Sequence, residues 1–360
     1  MKTSYLTAGI GLKNLFMLLG RNHVTLRPKY ILRILFLIQS AVWSSLFGLL
    51  EKFLLWRKIK STPIPEDPVF IIGHWRTGTT YLHQLMNLDP ANTAPTLFQV
   101  AVPQCYIIAY PLYKPILGAA IGKRRPMDKV RLGMNEPQED EYAIFRLTGH
   151  SPLEKLVFPV SKSYFLTNEK NFFPLGPDIV KWKKQIFSFY RKLSYYTGKV
   201  IVSKNPFNSM RIPLLAEMFP KARFICIVRN PIDVVPSSIH MWTIVQHQNA
   251  LSNLEHKPSV REIVTFYKDM IAKMDQDLAS IPENRKTLIR YEDLERNPLD
   301  CLRQVYSSLS MTFTDQFEDA IIAFLKETGS FEKNIFNLTD EEKSFICYEL
   351  KEHMKVYGYI

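Results

Sequence analysis

The sequence predicts an α/β fold in three layers: a central parallel sheet flanked by helices, preceded by an N-terminal helical segment. Three observations carry this. Short apolar runs of strand type recur at residues 69–72 (VFII), 200–202 (VIV), 224–228 (FICIV) and 287–289 (TLI). Stretches of helical pattern alternate with them, which is the order of a parallel sheet covered on both faces. The first run leads directly into a glycine loop, residues 73–80, and then into a helix.

Composition agrees with a globular chain. Apolar residues make up 46% of 360, which excludes a disordered, collagen-like or disulfide-scaffold protein. Cys105, Cys226, Cys301 and Cys347 are scattered, with no CxxC pair, so neither a zinc site nor a disulfide framework is expected. A reducing compartment follows most simply. The formal charge of +12 favours an anionic partner: a nucleotide, a nucleic acid or an acidic membrane surface.

Two domains are expected: an apolar and basic helical segment over 1–60, and a catalytic domain over 61–360. Residues 34–50 (ILFLIQSAVWSSLFGLL) carry no charge. Seventeen residues fall short of the ~20 that a bilayer span needs. Basic residues stand on both sides, so no orientation follows. Lying on a membrane, packing on the catalytic domain and spanning a bilayer all stay open. Trp43 and Trp56 among basic residues suit an interfacial helix and a plain amphipathic one equally. Three prolines in 61–68 (STPIPEDP) mark a linker. Further helices are expected at 81–88, 212–218, 260–279 and 341–356.

The central motif is Gly73-His74-Trp75-Arg76-Thr77-Gly78-Thr79-Thr80. It makes the fold P-loop-like: backbone N–H groups at a helix start bind phosphate oxygens, and Gly78 lets the backbone come close. Its G-x-x-x-x-G spacing is that of a triphosphate loop, yet Thr79 stands where that loop needs Lys. A triphosphate-cleaving role therefore loses its main cation. Arg76 inside the loop suits a nucleotide with a compact 5′ anion beside a transferable group. A second anion site is expected at Arg229, which ends an apolar strand and presents a fixed fork.

These segments resemble the sulfotransferases that use 3′-phosphoadenosine 5′-phosphosulfate (PAPS). PVFIIGHWRTGTTYLHQLM is similar to their 5′-phosphosulfate loop, G-x-x-R-[ST]-G-T-[ST]. The resemblance implies that Arg76, Thr77, Gly78, Thr79 and Thr80 hold that group. Arg229 to Ser237 (RNPIDVVPS) is similar to the 3′-phosphate motif, whose first Arg and last Ser grip the phosphate. Tyr291-Glu292-Asp293-Leu294 resembles the late YEDL stretch and implies that Tyr291 contacts the nucleotide. PAPS is the implied co-substrate, and the implied chemistry needs no metal.

In that family a Lys after the second strand steadies the bridging oxygen, which implies a catalytic role for Lys204 beside Arg76. Lys204-Asn205-Pro206-Phe207 resembles the protein-tyrosine sulfotransferase branch. The catalytic His of cytosolic relatives would fall at Pro206, and that of many bacterial relatives at Asn208. Pro137-Gln138-Glu139-Asp140-Glu141 resembles the P-Q-E-D-E stretch of the bacterial branch and offers Glu139 as general base. The same residues also read as a helix start, with Asn135 and Gln138 as a capping box. The late R-K-G-x-x-G-D-W-K segment of cytosolic relatives has no counterpart, and Lys333 is the nearest substitute. His74, His83, His150, His240 and His247 each read more simply as packing or surface residues.

The donor is therefore better specified than the acceptor. Aromatic content of 12% and the stretch 102–120 (VPQCYIIAYPLYKPILGAA) favour the hydroxyl of a lipid or sterol. No nucleic-acid partner is expected. A membrane surface is a second expected partner, with the protein cytoplasmic and either free or peripheral at the inner face. Two alternatives remain: a non-catalytic nucleotide-binding protein at the membrane, and a P-loop kinase with a degenerate loop.

Overall fold

Five parallel strands form the sheet of the computed structural model: β1 (Val69–Ile72), β2 (Asn92–Thr93), β3 (Val200–Lys204), β4 (Arg223–Val228) and β5 (Lys286–Arg290), in the order β2-β3-β1-β4-β5. The structure describes residues 6–22, 28–120, 133–159, 166, 177–251, 256–328, 334 and 336–360. By their internal contacts they form two units. The first comprises Met1–Ile64, Pro95–Gly198 and Trp242–Lys257; the second comprises Pro65–Ala94, Lys199–Met241 and Pro258–Ile360 and holds the whole sheet.

In the second unit β1 is central and wholly buried, as an unbroken apolar run in a covered parallel sheet must be. Ile71, Val202, Ile225 and Ile227 pack with Leu82, Leu85 and Met86 of helix α3 (Thr79–Met86) and with Leu302, Val305 and Tyr306. Strand β2 is not foreseeable from an apolar run, because it is only Asn-Thr. Polar bonds hold it: Asn92 Nδ2 donates to Met86 O at 3.0 Å and to Tyr306 Oη at 3.0 Å, and Tyr306 Oη donates to Asp89 at 2.7 Å. The helix expected over 341–356 is two helices, Asp340–Glu349 and Lys351–Val356.

The first unit contains helices α1 (Leu12–Arg21) and α2 (Pro28–Ser61), so the apolar 34–50 stretch is the middle of a 34-residue helix. The expected capping box does not form. The helix begins at Glu141, its N-cap Asp140 makes no side-chain cap bond, and Asn135 instead accepts from Tyr110 Oη at 3.2 Å. Backbone pairing explains why: Gln138 N donates to Pro95 O at 2.7 Å, residues 136 and 134 accept from 97 and 98, and Pro137 bridges Thr96, which ties the stretch to 95–98 instead of to a helix start.

Candidate functional site

Two glycines shape the phosphate loop. Gly73 has φ +144, and a Cβ there would lie 2.4 Å from Ile227 O on β4. Gly78 has φ +93, and a Cβ there would lie 2.2 Å from the Tyr291 ring. The loop therefore passes flush against its neighbours, and Gly78 starts α3, where helix N–H groups face an anion. Arg76 between them adopts φ +71, a left-handed conformation that costs a non-glycine residue about 1–2 kcal/mol. Thr77 is turned inward: its hydroxyl donates to His74 O at 2.7 Å and holds the loop's curve. Thr79 is buried and Thr80 half-buried at the first turn.

The second anion motif meets the first. Arg76 Nε donates to Ser237 Oγ at 2.8 Å, and Arg229 Nη1 donates to Arg76 O at 3.3 Å. The Arg229 guanidinium lies over the Tyr291 ring, 4.5 Å from its centroid, and pairs with Asp233 at 3.2 Å. Its Nε is buried without a hydrogen-bond partner. Arg76, Gly78, Arg229, Ser237 and Tyr291 thus form one cluster past the ends of β1 and β4. Tyr291 is buried beneath Gly78, with its hydroxyl donating to Glu295 at 2.8 Å. Two guanidiniums, a hydroxyl and a helix start in one place fit a nucleotide carrying phosphate groups.

Lys204 ends β3 opposite Ile71 on β1 and is 2% exposed. Next to it, Ser209 was not foreseen. Its Oγ accepts from Gly73 N at 2.8 Å and donates to Gly73 O at 3.2 Å, which fixes the start of the loop. No sequence signal marks a serine that acts from a short 3₁₀ turn. Glu292 was visible only as part of YEDL; it accepts from Asn230 N at 3.0 Å and from Tyr359 Oη at 3.1 Å. His74 and His83 are fully buried, and burial lowers their pKa values to about 4 and about 3. Both are neutral packing residues, as their apolar context suggests.

The P-Q-E-D-E segment lies in the first unit. Glu139 is buried, Asp140 accepts from Tyr190 Oη at 2.5 Å, and Glu141 accepts from Ser151 Oγ at 2.6 Å. Lys333 lies outside the described residues. Among the described residues no group of three or more His, Cys, Asp or Glu gathers as metal ligands.

A model of the sulfotransferase family matches residues 68–315, which spans both anion motifs, Lys204 and Tyr291. The chain belongs to the PAPS-dependent sulfotransferase family. As a sulfotransferase it is 30% identical over 320 residues, 88% of its length and 81% of the relative's, to the omega-hydroxy-beta-dihydromenaquinone-9 sulfotransferase Stf3 of Mycobacterium bovis. The Stf3 of Mycobacterium tuberculosis matches to the same extent. Its fold is similar to that of the sulfotransferase STF9 from Mycobacterium avium (TM-score 0.65, 15% identity, 97% and 96% of the two chains). It is also similar to STF1 from Mycobacterium tuberculosis (TM-score 0.61, 16% identity, 95% and 91%). Family membership sets aside the kinase and non-catalytic alternatives. In this sulfotransferase, as in a P-loop protein, the loop sits at the carboxyl ends of parallel strands, where open α/β sheets bind ligands.

Proposed function

We propose that this sulfotransferase moves the sulfuryl group of PAPS to a hydroxyl on a long apolar lipid. The observation that carries the donor half is the convergence of Arg76, Arg229 and Ser237 at Gly78. Arg76, Thr77, Gly78, Thr79 and Thr80 would shape and hold the 5′-phosphosulfate site. Arg229 and Ser237 would take the 3′-phosphate, with Tyr291 as the platform under both. The acceptor oxygen bonds to sulfur as the bond from sulfur to the bridging oxygen breaks. The electron pair leaves with adenosine 3′,5′-bisphosphate (PAP), and the hydroxyl proton passes to Glu139. Lys204 steadies the charge growing on the leaving oxygen, a role worth about 10²–10³ in rate for a preorganised donor. No metal takes part in this scheme.

The name of the relatives, an omega-hydroxylated menaquinone sulfotransferase, supports a hydroxyl on an apolar chain as the acceptor group. The aromatic stretch 102–120 agrees. A cytoplasmic protein attached peripherally to the inner face of a membrane, through the 1–60 segment, fits such an acceptor.

Calorimetric titration with PAP, against ATP with Mg²⁺, tests the donor. Micromolar binding of PAP alone is expected; binding of ATP alone would overturn the reading. Turnover is then followed on an ω-hydroxylated polyprenyl quinone, a sterol, a tyrosine peptide and a sugar. Faster transfer to the peptide or sugar would refute the lipid acceptor. Glu139→Gln should abolish transfer with PAP binding retained, whereas loss of thermal stability alone would remove Glu139 as base.

A further inference from the structure

Helix α2 buries Tyr30, Ile34, Leu37 and Ala41 in the first unit, and polar side chains on that same side fix it there. Of its polar residues Arg33, Ser44 and Glu51 are buried, while Gln39 and the cations Lys52, Arg57, Lys58 and Lys60 are exposed. Arg33 is 8% exposed and donates to Ala250 O at 2.9 Å and to Gln248 O. Ser44 donates to Gly9 O at 2.7 Å, and Ser45 accepts from Leu12 N at 2.9 Å. Glu51, 2% exposed, pairs with Lys192 and accepts from Ile107 N at 2.8 Å. Arg33, Ser44 and Glu51 are eleven and seven residues apart, so they share one face at 3.6 residues per turn.

The opposite face is open and mostly apolar. Leu32, Phe36, Trp43, Leu46, Leu50 and Phe53 are spaced by four, seven, three, four and three, and are exposed by 68, 39, 48, 54, 45 and 83%. At 1.5 Å per residue this row runs about 32 Å. Mean hydropathy in the most apolar window of the helix is 1.6, and only 28% of that window is buried. An exposed face of that length, apolar but for Gln39 between Phe36 and Trp43, marks an interaction surface.

Charge decides the occupant. The only acid of α2, Glu51, is buried against Lys192, while Lys52, Arg57, Lys58 and Lys60 are exposed at its end. Lys60 Nζ lies 4.7 Å from the Trp56 ring centroid, the pairing of aromatic ring and cation that suits a headgroup layer. An apolar face bordered by unopposed cations complements an anionic lipid leaflet. A second copy packed parallel on this row would bring those like charges together.

The inward bonds decide the orientation. Arg33, Ser44 and Glu51 bind other segments of the unit near the start, at the middle and two thirds of the way along the helix, so α2 cannot leave to cross a bilayer without stranding a buried charge. We infer that α2 lies in the plane of an anionic membrane, its Leu32-to-Phe53 row sunk among the acyl chains and its inward face kept on the protein. This deepens the membrane-partner reading, and its test uses no turnover, so it stands or falls apart from the sulfuryl-transfer assignment.

Full-length protein is floated with vesicles of phosphatidylcholine, with and without phosphatidylglycerol. Binding to the anionic vesicles, weakened by salt, is expected. Leu46→Glu with Phe53→Glu should abolish it while PAP affinity stays unchanged, which reports that the second unit is folded. Arg57→Glu, Lys58→Glu and Lys60→Glu together should cost at least about tenfold on anionic vesicles. Nitroxide labels at Leu32→Cys, Trp43→Cys and Phe53→Cys, in a Cys347→Ser background, should report one shallow depth. A centre deeper than both ends would mean a span and overturn the orientation. Failure of the wild type to float, with a dimer that Phe53→Glu dissociates, would overturn the lipid occupant in favour of a second copy.

Discussion

Strand β1 and helix α2 are both written in apolar letters, and the protein treats them in opposite ways. Val69–Ile72 is buried on every side, between β3 and β4. In α2 one apolar row stays outside, while Arg33, Ser44 and Glu51 go in beside Tyr30, Ile34, Leu37 and Ala41. Hydropathy says that a segment leaves water; it does not say whether protein or lipid receives it. The few polar residues carry that information. β1 has none, so its burial is legible. α2 has Arg33, Ser44 and Glu51 on one face, and their partners show which face the protein claims.

The largest expected effect breaks the comparison on the α2 side. Glu51→Ala leaves Lys192 buried without its carboxylate, beside the Tyr106 ring at 4.0 Å and Pro103 O at 2.9 Å. Burial already lowers the Lys192 pKa, with Glu51 opposing that shift. Loss of one partner of such a pair should cost about 3–5 kcal/mol, read from urea unfolding. Adding Lys192→Met should recover part of it; no recovery would mean that the pair does not hold α2 in solution. Next comes the sheet side. Lys204→Ala should lower kcat about 10²–10³-fold, with PAP affinity moving less than about threefold. An unchanged kcat would place the catalytic cation elsewhere. Arg229→Ala should weaken PAP by about 10–100-fold, the loss of a charge-assisted bond worth about 1.5–3 kcal/mol. A wild-type dissociation constant would remove it from the 3′-phosphate site.

Legibility follows the same division. Val69–Ile72 and Ile212–Met218 are read from sequence to the residue, because periodicity and local propensity agree there. The loop and Arg229 are legible because their chemistry needs fixed residue types at fixed spacings. β2 is not, since two polar residues held by Tyr306 and Met86 leave no hydrophobic signal. Asn135 misleads because a capping pattern is local, whereas the backbone bonding of 134–138 to 95–98 is not. Ser209 and Tyr359 act through tertiary contacts alone. Their neighbours in sequence say nothing of Gly73 or Glu292.

Buried histidines give the sheet unit a pH signature. His74 and His353 titrate near 4 and His83 near 3, all depressed by burial, against about 6.5 when unfolded. Between those values the unfolded chain binds more protons, so stability rises with pH. The contribution is whole above about pH 6.5 and is lost as pH falls toward 4. The melting temperature should therefore drop on acidification from pH 7 to 5. His83→Gln, which can keep a bond toward Val202 O (3.1 Å in the wild type), should flatten that slope. An equally steep slope in the variant would mean that His83 is protonated in the fold.

The smallest effect tests how far the phosphate cluster extends. Tyr359, next to last in the sequence, donates to Glu292, which accepts from Asn230 N beside Arg229. Arg290 lies over the Tyr359 ring, 4.8 Å from its centroid. Tyr359→Phe keeps the ring and removes one partly exposed bond, so PAP affinity should fall only about two- to fivefold, with kcat unchanged. Glu292→Gln should cost more, because it weakens the acceptor for the Asn230 amide as well. If Glu292→Gln acts and Tyr359→Phe does not, the carboxylate holds the Arg229 turn unaided and the C-terminal residues only cover it. If both are silent, the turn is held by the strand and by Asp233, and the cluster ends at Tyr291.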